Sequence, residues 1–489
     1  MQKKVNTKFG LSMIALSLGF APVLAHADTN AQILKELKAL QAQVQQLQAK
    51  VQAQDAQLKE QGAAVQAQDS ALKAQQGQVA SAAAAADDAS SQADRNAVQI
   101  TGLKGAAKRT GMDGMTVTGM IAPAYVYNQD RQTSSFVFLN RSNGDPSAAT
   151  VYNYDNSSFG QAYIQFQKVM GDGTKWTLNL APDRGTGSVM NGSSIINEAS
   201  VSMPINGDSD TRFIAGQIPD WEGYEYAFDN QTYAVTHNLL YDFTELSAYT
   251  GAGVDVTNGN LEWKALVGNV NAARYNYNNA GIGGRAPALV ARFDYSLPGY
   301  DSAGVGGWGL VGKVPNYALS EAVLGTSSGL NSSTVMAELD AYLNKGAWGW
   351  YGQIGYGKQA QAAANGGDAK WWALSATTTY NFTPRFLGFA RADYLNDSAN
   401  GGGLLGGYNG LDGVNGFGPD QNCTAAVCDG VNRYALSVGA DYQISKSTKL
   451  KLEYRYDGAN GAVFQKGPDS SPTYKKSNSL LAAGLVVNF

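Results

Sequence analysis

The sequence predicts an all-β transmembrane barrel of about 16 antiparallel strands, preceded by an α-helical coiled coil. Three observations lead there. The chain begins with an export signal and contains no later apolar run of the roughly 18 residues a membrane helix needs. A heptad pattern fills the stretch from Ile33 to Leu103. From about Met115 to the last residue, Phe489, the apolar period changes from 3.5 to 2.

Lys3, Lys4 and Lys8 form a basic start, Leu11 to Leu24 an apolar run, and Ala25-His26-Ala27 a small-x-small cleavage site. Residues 1–27 therefore read as a secretory signal peptide rather than a membrane helix. An exported membrane chain without such helices can cross a bilayer only as a closed barrel. The 57 Gly, 26 Tyr and mean hydropathy of -0.25 suit a barrel with a polar lumen. Cleavage leaves 33 bases against 40 acids, a net charge of -7, which argues against nucleic acid as a partner. Cys423 and Cys428 lie close together in a Gly/Asn-rich stretch; a local disulfide fits an exported chain, and a metal site would need further ligands nearby.

Residues 28–104 are expected to form an oligomerisation rod, with 105–114 as linker and 115–489 as barrel. With Leu37 at position a, the a series runs Leu37, Val44, Val51, Leu58, Val65, Leu72 and Val79, and the d series begins Ile33, Leu40 and Leu47. Sustained 4-3 spacing is the signature of a left-handed coiled coil; a disordered Ala/Gln linker would not keep its aliphatics in register. Gln54, Gln61, Gln68 and Gln75 occupy successive d positions. Polar core layers fix register and oligomer state at a cost in stability. Such a helix is not stable alone, so the chain should be an oligomer, and a homotrimer is expected.

Strand candidates begin near Thr116, Gly160, Lys175, Asn197, Arg212, Leu246, Leu261, Ala286, Gly307, Thr334, Ala347, Lys370, Arg385, Asn432, Lys449 and Asn478. Short links such as Gly171-Asp172-Gly173-Thr174 and Thr257-Asn258-Gly259-Asn260 alternate with long ones such as Trp221 to Glu245. Short periplasmic turns and long external loops mark outer-membrane barrels. The rod joins on the short-turn side, which places it in the periplasm. Trp372 and Tyr380 share a parity eight residues apart, as do Tyr434 and Tyr442. Tilted strands of that length span roughly 21 Å, close to the apolar band between two aromatic girdles.

The opposite parity carries charge: Lys449, Lys451, Glu453, Arg455 and Asp457 on one strand, Arg292 and Asp294 on another, Arg391 and Asp393 on a third. These either neutralise one another in a wet lumen or form a polarised constriction that selects solutes by charge. The stretch Trp221-Glu222-Gly223-Tyr224-Glu225-Tyr226-Ala227-Phe228-Asp229-Asn230 follows the fifth strand. It is either an external loop or one folded into the barrel. If it folds inward, Glu222, Glu225 and Asp229 face a basic wall of Arg292, Arg391, Lys451 and Arg455. Those arginines would attract anions, with the acidic loop in competition.

No cofactor or metal site is expected. After cleavage His237 is the one histidine left, which removes His-rich metal sites and metal-hydrolase motifs. A Ser-His-Asp hydrolase built on His237, as in outer-membrane phospholipases, is formally open, but no nucleophile motif accompanies it. Gly307-Trp308-Gly309-Leu310-Val311-Gly312-Lys313-Val314 approximates a phosphate loop but lacks the hydroxyl residue after Lys and the following helix, so it reads as strand. No enzyme is expected.

Leu481, Ala483, Leu485, Val487 and Phe489 share one face of the last strand, a tail that resembles the closing strand of bacterial outer-membrane barrels. That resemblance implies that Phe489 is read by the barrel-assembly machinery. Signal peptide, coiled coil, barrel and terminal Phe together resemble the coiled-coil-bearing trimeric porins of the DcaP type. Thr174-Lys175-Trp176, Ile196-Asn197-Glu198-Ala199-Ser200-Val201, Ile214-Ala215-Gly216-Gln217-Ile218-Pro219-Asp220-Trp221 and Thr236-His237-Asn238-Leu239-Leu240-Tyr241-Asp242 also resemble porin-like outer-membrane proteins of undefined function. The resemblance implies outer-membrane lipids as surroundings and passive diffusion of small hydrophilic solutes, among them small anions such as dicarboxylates. In general porins the third long loop folds into the barrel and narrows it, which the resemblance would carry to Trp221–Glu245. The alternative is a structural protein that tethers or spaces the envelope, with a narrow or plugged barrel.

Overall fold

The computed structural model describes residues 35–73, 75–76 and most of 114–489; within the latter, 131–132, 140, 143–158, 183–194, 247, 272–286, 301, 317–330, 364–366, 398–419, 421, 424–429, 467–470 and 472 are outside the described residues. The chain divides into two compact units, Met1–Gly111 and Met112–Phe489.

In the first unit, α1 (35–73) is a continuous helix, about 60 Å long at 1.5 Å per residue. Ala, Gln, Leu, Lys and Glu dominate it, all strong helix formers. Lys73 Nζ reaches Asp69 at 2.9 Å, one turn back. The heptad residues Leu37, Leu40, Val44, Leu47, Val51, Leu58, Val65 and Leu72 are 49–65% exposed. They form an apolar seam along one face, the surface a coiled coil would bury. The expected remainder of the rod, beyond residue 76, lies outside the described residues.

The second unit is a closed antiparallel barrel. β1 (Met115–Ala122) and β2 (Ala124–Asn128) are two halves of one strand broken at Pro123, which has no N–H for the ladder. Below the break β1 pairs with β5 (Gln161–Val169); above it β2 pairs with β3 (Thr133–Phe138), itself joined to β4 (Arg141–Ser142). The wall continues through β6 (Lys175–Leu180), β7 (Ile196–Ile205) and β8 (Asp208–Pro219). After a short helix, α2 (Leu239–Phe243), come β9 (Ala248–Asn258), β10 (Leu261–Asn271), β11 (Ala288–Ser296) and β12 (Ser302–Pro315). β13 (Asn331–Lys345), β14 (Trp348–Gln359), β15 (Ala369–Thr383) and β16 (Phe386–Asn396) follow. β17 (Arg433–Ser445) and β18 (Thr448–Ala459) lead to a small ribbon of β19 (Phe464–Lys466) and β20 (Thr473–Lys475). β21 (Ser477–Asn488) closes the wall by pairing with β18 on one side and with β1 and β2 on the other. Counting β1 and β2 together and setting β3 and β4 aside, the closed sheet has sixteen staves.

Every strand start read from the sequence has a stave within a few residues. The candidate near Gly307 begins earlier, at Ser302. Between β2 and β5, where no strand start was read, lie β3 and β4. Local turn chemistry explains the short links. Asn206 and Gly207 have φ of 55° and 76°, as a two-residue hairpin between β7 and β8 requires.

Alternation sorts the side chains. On β13, Val335 and Leu339 point outward and are exposed, while Thr334, Met336, Glu338 and Asp340 point inward and are buried. Outward aromatics gather in two rows. Trp372 meets Tyr394 at 5.1 Å between ring centroids, and eight residues along the same strand Tyr380 meets Trp348 at 4.7 Å. The closing seam is held at its end by Phe489, whose N–H and C=O pair with Gly119 at 3.1 and 3.0 Å. Its ring lies where a Cβ on Gly119 would stand. Among the described residues no helix is long and apolar enough to cross a membrane.

Candidate pore constriction

Between β8 and β9, residues 220–246 turn into the barrel and cross it. Its apolar residues explain part of that path. Val235, Leu239, Leu240, Phe243 and Leu246 are buried with the inward faces of several staves, including Val290, Leu310, Trp371 and Leu480. Burial of each such side chain stabilises by about 1.5–3 kcal/mol relative to exposure. Asn238 caps α2, its side chain accepting from the N–H of Tyr241 at 2.8 Å. The interior is thus apolar in part, whereas the composition suggested a polar lumen. Trp308 and Trp371 face inward and are buried too.

Charged wall residues hold the loop through its backbone. Lys451 on β18 donates to the carbonyls of Asp229 and Ala234 and the hydroxyl of Thr232, at 2.8, 2.6 and 2.8 Å, which uses all three ammonium protons. Glu453, two residues on and so on the same face, accepts from the N–H groups of Val235 and Thr236, both at 2.8 Å, and from the Thr236 hydroxyl at 2.7 Å. Arg391 on β16 donates to the carbonyls of Thr236 and His237 at 2.8 and 2.9 Å. Arg455 donates to the Thr236 hydroxyl at 2.9 Å and to Asp457 at 2.7 Å. Across the lumen, Gln161 on β5 donates to the Ala227 carbonyl and accepts from the Asp229 N–H, both at 2.9 Å. The Tyr224 hydroxyl lies 2.9 Å from both Ser375 and Thr377 on β15, and Tyr233 meets Tyr351 on β14 at 2.7 Å. Within the loop, backbone bonds such as Gln231 N–H to the Phe228 carbonyl and Thr244 N–H to the Leu240 carbonyl shape its path, and wall side chains dock it.

The residues singled out from the sequence are brought together in pairs rather than as one basic face opposing one acidic face. Glu225 stands 3.6 Å from Arg391, and Asp229 presents its carbonyl to Lys451. Glu222 pairs with none of these bases; its carboxylate accepts from the N–H of Leu246 at 2.8 Å. Arg292 binds Asp294 at 2.6 Å, Asp340 at 2.8 Å and the Trp221 carbonyl at 2.9 Å. Arg391, Lys451 and Arg455 are only 4%, 0% and 0% exposed, because the loop covers them. Burial pushes the Glu225 carboxyl up to about 7 and that of Asp229 up to about 6, against the attraction of Arg391 and Lys451 respectively. A cavity of about 160 Å³ remains beside the loop, bordered by Tyr224, Glu225, Gln231, Tyr233, Tyr351 and Arg391. Cys423 is described and Cys428 is not, so the expected bond between them lies outside the described residues.

The loop's partners Gln161, Tyr351, Gln353, Ser375 and Thr377 were not legible from the sequence. They are neutral inward residues with no charge signal, and their distance from the loop in sequence runs from 66 to 153 residues.

No curated protein matches the chain in sequence. Among solved structures, it is similar to an anion-selective porin from Comamonas acidovorans, with 12% identity, a TM-score of 0.47 and coverage of 77% of this chain and 99% of the other. Pseudomonas putida OprB shows 10% identity, a TM-score of 0.46 and coverage of 79% and 97%. OmpT, an outer membrane protein of Vibrio cholerae, shows 10% identity, a TM-score of 0.46 and coverage of 77% and 97%. Over residues 5–489 the chain matches the family described as a protein of unknown function (DUF3138), and it belongs to that family.

Proposed function

We propose that the protein is a homotrimeric outer-membrane channel for passive diffusion of small hydrophilic solutes, narrowed from within by residues 220–246. The observation that carries this reading is the transverse loop inside a sixteen-stave barrel, held by side chains from several staves. Residues 1–27 are the cleaved signal, 28–104 a periplasmic coiled coil that trimerises the chain, and 105–114 the linker. Phe489 serves as the assembly signal, Cys423 and Cys428 form a disulfide, and the protein is not an enzyme. The bases expected to attract anions are covered by the loop, whereas Glu222 and Glu338 keep carboxylate oxygens without hydrogen-bond partners among the described residues. Glu222 and Glu338 are nearly as buried as those bases, so the proposed solutes remain small hydrophilic ones, small anions among them. Reconstitution into a planar bilayer should give conductance steps in groups of three. Correctly inserted but silent protein would remove the reading.

A second reading, a structural barrel with a plugged interior, draws support from the apolar cluster around Leu239, Leu240 and Phe243. Silent insertion in the same experiment is its expected result.

A further inference from the structure

The cavity of about 160 Å³ beside the transverse loop is walled by aromatic rings. Tyr224 and Tyr233 come from the loop, Tyr351 from β14 and Phe389 from β16. The Tyr351 ring stands 5.9 Å from that of Tyr224 and 5.4 Å from that of Tyr233, inclined at 37° and 47°. Rings so inclined enclose a space instead of stacking flat on one another. Tyr226, 58% exposed, also lines the cavity, which is therefore open to solvent on that side.

The phenol hydroxyls of these rings are already engaged. That of Tyr224 lies 2.9 Å from both Ser375 and Thr377. Those of Tyr233 and Tyr351 meet at 2.7 Å, and Tyr351 donates on to Asn344 at 2.7 Å. A polyol such as a sugar needs many donors and acceptors, and these hydroxyls have little left to give it. What the cavity offers instead is ring surface and one carboxylate. The Glu225 side chain is 5% exposed; its Oε2 accepts from the Asn238 amide at 3.1 Å, while Oε1 stands 3.6 Å from Arg391, beyond hydrogen-bond length. That guanidinium is shared with Asp393 at 3.3 Å and Glu453 at 3.6 Å, so one positive charge serves three carboxylates. The next bases have acids of their own: Arg455 has Asp457, and Lys451 has Asp229 and Asp441. Negative charge is thus in excess beside the rings, and a buried carboxylate is costly until a positive group answers it.

Aromatic faces attract cations through the ring quadrupole, and cages of such rings recognise quaternary ammonium groups. A primary ammonium calls for an acceptor for each of its three protons, which this cavity does not supply; a methylated ammonium calls for none. Size agrees as well, since a cavity of roughly 150 Å³ admits benzene and a trimethylammonium head has similar bulk. We propose that this cavity binds the trimethylammonium head of a small quaternary ammonium solute, with Tyr224, Tyr233 and Tyr351 around the cation and Glu225 as its counter-charge. The inference rests on the channel reading for the solute's route into the lumen, and adds a cationic solute class to it.

The test is equilibrium dialysis of full-length protein, in a maltoside detergent, against radiolabelled choline. Wild-type protein should bind choline, and tetramethylammonium should displace it. The neutral isostere of choline, with carbon in place of nitrogen, should not. Tyr233→Leu and Glu225→Gln should each weaken binding roughly tenfold or more, in variants that keep the heat-modifiable migration of a folded barrel. Tyr233→Phe keeps the ring and should recover most of the affinity lost in Tyr233→Leu. Three results would each overturn the proposal: no binding by wild-type protein at millimolar choline, equal displacement by the neutral isostere, or wild-type affinity in both Tyr233→Leu and Glu225→Gln. Binding is read without conductance. Conducting channels that bind no choline would therefore remove this inference alone, whereas choline binding by a silent barrel would support the site and remove the channel reading.

Discussion

Replacement of Glu453 by Gln should loosen the transverse loop while leaving the barrel wall intact. The carboxylate accepts three bonds from the loop, at 2.8, 2.8 and 2.7 Å, and is 1% exposed. Bonds to a charged acceptor contribute about 1.5–3 kcal/mol each, neutral ones about 0.5–1.5. Gln keeps one acceptor oxygen, so at most two neutral bonds survive, and the amide nitrogen meets donors instead of acceptors. Arg391, 3.6 Å away, loses a counter-charge as well. These terms are not additive, and docking should weaken by about 3 kcal/mol. Since 1.4 kcal/mol is a factor of ten, the docked-to-detached ratio should fall roughly a hundredfold. No ladder bond of β18 involves the side chain, so heat-modifiable migration and β-sheet circular dichroism should match wild type. Single-channel records should show larger or noisier conductance. A folded Glu453→Gln protein with wild-type conductance and wild-type noise would refute the latch.

Acidity should act on the same loop. The carboxyls of Glu225 and Asp229 are raised to about 7 and about 6 in the docked state, above the ordinary carboxylate range. The docked loop thus takes up protons that a detached loop does not, and docking strengthens as pH falls from about 8 to about 5. Channel noise should fall over that window; a rise would contradict the assignment. At the closing seam, Gly119→Leu places a side chain in the space filled by the Phe489 ring and should slow or block barrel assembly, read as loss of the heat-modifiable form. Normal assembly would show that the ring moves freely. Residues 33–103 as a peptide should form a helical trimer, with Gln54, Gln61, Gln68 and Gln75 replaced by Leu raising its stability; a helix-poor monomer in analytical ultracentrifugation would count against the rod.

The staves were legible because period and punctuation agree. Alternating runs such as Thr334 to Asp340 separate lipid-facing from inward residues, and Asn206-Gly207 fixes a two-residue hairpin. The apolar seam of α1 was legible for the same reason, with a different period. The first stave was harder: Pro123 divides it, and the switch of partner from β5 to β3 depends on a chain that turns back after Asn128. The acidic and aromatic residues of the loop, and the inward bases of β16 and β18, stood out by type. Which of them meet was not legible. Glu453 and Thr236 are 217 residues apart, and their contact follows from barrel closure and stave register, neither of which is encoded locally. For that reason the basic wall expected to attract anions turned out to grip backbone carbonyls of the loop.

The most direct measurement of the central claim is the size limit of the channel with and without the loop. Residues 224–238 would be replaced by a short Gly/Ser link, which leaves every wall strand unchanged. In liposome swelling with sugars of increasing size, the wild-type protein should pass only small sugars and the shortened protein distinctly larger ones. Equal size limits for two correctly folded proteins would contradict a loop that narrows the pore.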